Sequence, residues 1–87
     1  MTHLLNLSPE AEEMFYRWAE CRKSLKDLKN ERQKTNHNTE KSRLLQIQHA
    51  ITITDVRLST LSSILTEVFK LEYRVMLQEY KSYMEAN

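Results

Sequence analysis

Three histidines, one cysteine and a run of basic side chains are the residues here whose types lend themselves to chemistry. His3, His37 and His49 are the candidates for metal ligation or proton transfer. None has a second His, Cys or carboxylate at ligand spacing on the same helical face, and no HExxH or CxxC pattern is present. They read as structural or surface histidines. Cys21 would act as a nucleophile or redox group only in an exposed, electropositive setting. It falls instead between Trp18 and Leu25 on an apolar stripe, where a thiol packs as a small hydrophobe. Glu12 and Glu13 are adjacent at a helix start and point to different sides. There is no glycine-rich phosphate loop, nucleophile elbow or Ser-His-Asp set. The expectation is a protein that is not an enzyme and needs neither cofactor nor metal.

The basic residues are the second chemical signal. Between Arg17 and Lys34 there are seven Lys or Arg against three acids, with Lys41 and Arg43 just beyond. Arg22, Lys26 and Lys29 share a helical face and are the candidates for contacts to phosphate or to an acidic partner. Glu20, Asp27, Glu31 and Glu40 interrupt the patch, and no nucleic-acid-binding motif accompanies it. A nucleic-acid-binding regulator using this basic tip is therefore the alternative reading, not the favoured one.

Positioning these side chains is the work of helices. The chain has 87 residues, no glycine and one proline, so the tight turns of a β-rich fold are out of reach. Charged residues make up 29% with both signs interspersed, 40% is apolar, and the net charge is +1. That balance suits an all-α globular or coiled-coil protein and gives no general attraction to nucleic acid or anionic membrane. Residues 1–7 lack the pattern of a signal peptide, and no apolar run approaches membrane-spanning length. A lone cysteine fits a reducing compartment. A cytoplasmic location is expected.

Ser8, Pro9 and the acids Glu10, Glu12 and Glu13 mark the start of a first helix over about residues 9–33. Ala11, Met14, Trp18, Cys21, Leu25 and Leu28 form its seam. The polar stretch 34–39 is the loop, with Asn replacing glycine in left-handed backbone and Thr39 or Asn38 capping the next helix. The second helical region is expected over about 40–85, with seam residues Leu44, Ile47, Ile51 and Leu58 and a possible bend at 52–55. There Ile51, Thr52, Ile53, Thr54 and Val56 are all β-branched. The fold expected is an antiparallel helical hairpin, coiled-coil-like, forming an oligomeric helical bundle from a single 1–87 domain.

A length mismatch then suggests a function. Residues 9–33 span roughly 38 Å and residues 40–85 about 69 Å, so the end of the second helix would overhang. Leu65, Val68, Phe69, Tyr73, Val75, Met76, Tyr80 and Tyr83 lie on that overhang and are the candidate partner-binding face. Burying one large apolar side chain is worth ~1.5–3 kcal/mol, so such a face must be covered. The cover would be a second copy, a larger protein, or the chain itself if it bends near Thr54. The sequence therefore reads as a protein–protein interaction module: a small adaptor, chaperone or regulator in a homo-oligomer or heterocomplex. A purely structural self-assembling bundle is a further alternative, and no membrane partner is expected. A basic amphipathic helix is disfavoured because Arg57, Lys70, Arg74 and Lys81 are interleaved with Glu67, Glu72 and Glu79.

Overall fold

The computed structural model describes residues 7–86, and these are all-helical with no strand among them. His3 lies outside the described residues. Three helices are present: α1 over Pro9–Lys34, α2 over Lys41–Ser63 and α3 over Tyr73–Ala86. A π-helical turn, Ile64–Val68, ends α2. The molecule measures 49 × 25 × 19 Å.

α1 starts where local chemistry puts it. The Ser8 hydroxyl accepts a hydrogen bond from the Ala11 N–H at 3.2 Å, Pro9 occupies the first turn, and Glu10 and Glu12 sit at the positive end of the helix dipole. At the other end the Thr35 N–H bonds back to the Arg32 carbonyl. The chain reversal beyond it rests on a side chain. The Asn36 amide oxygen accepts from the N–H groups of Asn38 and Thr39 at 2.8 and 3.3 Å. Asn36 does this without left-handed backbone, because Lys70 alone among the described residues has positive φ. The cap position of α2 is Glu40, not Thr39 or Asn38, and the Glu40 carboxylate reaches back to the Asn36 N–H.

α2 returns alongside α1 in the opposite direction. Arg43 pairs with Glu31, Arg32 donates to Gln48, the Cys21 thiol donates to the Thr54 carbonyl, and Trp18 donates to Ser62. Leu25, Ile47 and Ile51 form one buried cluster near the loop, with Leu28 and Leu58 packed on it. The possible bend at 52–55 is absent, and α2 runs unbroken through it. Ile51 gains burial against Leu25, and the Thr52 hydroxyl bonds the Gln48 carbonyl at 3.1 Å. With no glycine or proline nearby, packing overrides the weak helix preference of β-branched residues.

The break comes later, at Phe69–Glu72. The Phe69 N–H bonds the Ile64 carbonyl in the wide π pattern, and the Leu71 N–H reaches back to Leu65 at 3.0 Å. Between them Lys70 takes φ 59°, a left-handed value that costs a residue with a Cβ roughly 1–2 kcal/mol. The expected continuous helix over 40–85 is thus corrected to two helices and a reversal. The residues expected to overhang fold back onto α1 instead. There Phe15, Trp18, Ala19, Leu65 and Met76 make the main core, with Leu71, Leu77, Tyr80 and Tyr83 packed against it. Covering that apolar surface outweighs the cost at Lys70, since several large side chains are each worth about 1.5–3 kcal/mol.

Lys70→Gly should stabilise the chain by about 0.5–1 kcal/mol in urea unfolding, because glycine enters left-handed backbone freely but raises the entropy of the unfolded chain. A loss of stability would show that Lys70 does not occupy that conformation. Trp18→Ala should cost about 3–5 kcal/mol by the same measurement; a loss under about 1 kcal/mol would remove Trp18 from the core.

Candidate functional site

Trp18 organises the end of the molecule away from the α1–α2 loop. It is fully buried, and its indole N–H donates to the Ser62 hydroxyl of α2 at 2.8 Å. On the α3 side it meets Tyr73 and Tyr80 edge-on at 6.3 and 5.7 Å between ring centroids. Phe15 lies 5.6 Å away along α1. These are the distances and tilts that aromatic quadrupoles favour. Tyr16 and Tyr83 make a further pair at 5.9 Å, and the Tyr83 hydroxyl donates to the Glu20 carboxylate.

This arrangement takes up most of the face that the sequence singles out for docking. Leu65 and Met76 are fully buried inside the chain's own core. Phe69, Tyr80 and Tyr83 are half-buried against the same cluster, and Val75 is half-buried on α3. Val68 at 67% and Tyr73 at 46% are the residues of the set that remain exposed. Within the chain, α1 and the π turn cover the centre of the set.

The three basic candidates separate as well. The Arg22 guanidinium lies 5.6 Å from the Trp18 ring centroid and 5.3 Å from that of Tyr80, and it donates to the Tyr73 hydroxyl at 3.2 Å. A guanidinium held over two aromatic faces is engaged in cation–π contact. Lys26 and Lys29 remain exposed. An open groove between α1 and α2 is lined by Glu13, Tyr16, Arg17, Cys21, Arg57 and Leu61, among others. Its charges are mixed in sign. Among the described residues no group of three His, Cys, Asp or Glu is placed to hold a metal ion.

Three acid protons in this region are held more tightly than usual. Burial raises the Cys21 thiol pKa above its ordinary 9.0, with Arg57 lowering it and Asp55 raising it to lesser extents. Burial raises Tyr80, against an opposing effect of Arg22, and Asp27 and Glu20 add to the rise. Burial raises Tyr16 too, helped by the charge of Glu12, a hydrogen bond to Glu12 and the charge of Glu79. Glu79 itself is buried. The Cys21 thiol, its proton held by burial, donates to the Thr54 carbonyl of α2.

The surface that stays uncovered is on α2. Leu45 is 71% exposed, Val56 62% and Ile53 42%. At 100° per residue they share one side of the helix with His49, Thr52, Ser59, Thr60 and Ser63, all exposed, and Val56 and Thr60 also border the α1–α2 groove. Between Arg43 and Glu67 the charged residues are Asp55 and Arg57 alone, and at 100° per residue these flank the outer face rather than occupy it. From Leu45 to Ser63 the result is a charge-free strip about 27 Å long. The sequence signal for it is the depletion of charge in residues 44–66, which a search for apolar stripes passes over. No helix among the described residues is long and apolar enough to cross a membrane.

Compared with known proteins, the chain matches no family model, no curated protein and no solved structure.

The raised acids give an alkaline instability. Each keeps its proton in the folded chain after the unfolded chain has lost it, so above the ordinary pKa the folded state binds more protons. The stability they contribute is complete below pH 9 and is lost as pH rises through the folded values of Cys21, Tyr16 and Tyr80. Urea midpoints should fall as pH rises above 9 and on past 10, and less steeply in Tyr80→Phe with Cys21→Ser. A flat profile for the unaltered chain would contradict the burial of these groups.

Proposed function

We propose that this chain is a non-enzymatic protein–protein interaction module, a small helical adaptor or regulator. It works in the reducing compartment that its lone cysteine suits. The observation that carries the reading is the charge-free outer face of α2, with Leu45, Ile53 and Val56 standing in solvent. Ordinary surfaces of small soluble domains are about a quarter to a third charged, and loss of charge is the compositional mark of an interface centre. The face suits another helix of apolar and small polar character lying along it. Pairing such faces is also how the chain would enter a larger helical assembly. The C-terminal residues Val68 and Tyr73 lie at the reversal, where they extend contact area for a partner large enough to reach them. Nucleic-acid binding loses support from the engagement of Arg22 by the aromatic rings.

A photo-crosslinking side chain at Val56 tests the reading in the cells that express the protein. It should yield a discrete protein adduct that Leu45→Glu abolishes, and the same probe at Lys29 should not yield it. Leu45→Glu itself should shift stability by less than about 0.5 kcal/mol, since Leu45 is exposed. Adducts to nucleic acid from Lys29, with none to protein from Val56, would overturn it in favour of the basic tip.

A further inference from the structure

We propose that the Phe69–Glu72 reversal is an exchange hinge. It straightens to join α2 and α3 into one helix and seats α3 on the Trp18 cluster of a second copy of this chain. This exchange is independent of the α2 docking face and goes beyond it.

The hinge is built against its own sequence. Val68-Phe69-Lys70-Leu71-Glu72 contains neither glycine nor proline, and Lys, Leu and Glu are among the strong helix formers. Nothing local asks the chain to stop there. The reversal is made by a widened π turn and by left-handed backbone at Lys70, which a side chain with a Cβ adopts unwillingly. Straightening removes both features and restores ordinary helical hydrogen bonding. The resulting helix over residues 41–86 would be about 69 Å long.

An opened chain cannot stay alone. α3 brings Met76, Leu77 and Tyr80 to the core, and it leaves Phe15 and Trp18 of α1 uncovered when it departs. The surface already shaped for α3 is that same α1 face on another copy. In a two-fold pair every contact returns between chains: Tyr73 and Tyr80 on Trp18, Arg22 on Tyr73 and Tyr83 on Glu20. No new complementarity is required, which is why exchange of a terminal helix is an accessible route to a dimer. The closed form holds the advantage of a tethered partner, an effective concentration on the order of mM for a short linker. Relief at the hinge counts twice in each dimer and lowers the concentration at which exchange takes over. The exchanged dimer keeps both α2 outer faces free, so it is bivalent.

The test places cysteines where Tyr83 meets Glu20. Glu20→Cys with Tyr83→Cys, in a Cys21→Ser background, is folded at roughly 1 mM or roughly 1 μM and, after dilution, joined with a short bismaleimide that spans the length of the side chains removed. The expected result is a covalent dimer from the concentrated sample and an internally bonded monomer from the dilute one. Light scattering on the unaltered chain should show twice the 10.4 kDa chain mass at the higher concentration. Lys70→Gly, in the otherwise unaltered chain, should raise the concentration for dimerisation at least tenfold. A monomer throughout the series, or a dimer whose bonds stay within each chain, would overturn the proposal. So would a dimer indifferent to Lys70→Gly, since closed chains meeting side by side do not involve the hinge.

Discussion

One indole ring holds the three helices together. Trp18 is fully buried on α1, bound to α2 by its N–H and to α3 by two tyrosine rings. A small helical chain has little core to spare, and its stability is concentrated in its few fully buried large side chains. Here those are Trp18, Leu65 and Met76, one from α1, one from the π turn and one from α3. The position of α3 is a consequence. It must lie where Met76 reaches the indole, and the reversal at Lys70 is the backbone geometry that allows it.

The polar groups of the region are fitted to that packing. The indole N–H has the Ser62 hydroxyl, the Arg22 charge has two ring faces and a phenol, and the Cys21 thiol has a helix carbonyl. Among the described residues no buried side-chain nitrogen or oxygen lacks a hydrogen-bond partner. The loop end of the molecule is simpler. Leu25, Ile47 and Ile51 make a small aliphatic cluster, closed off by exposed ion pairs such as Arg43 with Glu31 that contribute little. The aromatic end is thus the specific one and the loop end the generic one.

Much of α1 and α2 is legible in the sequence because local signals and burial agree there. Ser8-Pro9 marks a start, and Trp18, Leu25, Ile47 and Ile51 repeat at helical spacing and are buried. The reversal at Phe69–Glu72 is not legible, because no residue type announces it. A long-range gain in burial selects it against local preference, and the length mismatch between the helices is its one visible trace. That mismatch has three resolutions, and composition cannot rank them. Phe15 and Ala19 escape the sequence pattern for a related reason. They face α3, and a single seam on α1 leaves no second face to look for. Arg22 resembles a free cation in the sequence because two of the three side chains that engage it, Tyr73 and Tyr80, come from more than fifty positions away.

The burial of the chain's sole tryptophan at the meeting of three helices has an optical consequence. Its emission reports a dry environment while α3 is docked, and Tyr73 and Tyr80 stand close enough to pass excitation energy to it. Withdrawal of α3 would wet the indole and cut that transfer at once. The molecule therefore carries its own fluorophore at the joint that moves, and the state of α3 is readable in solution without any label.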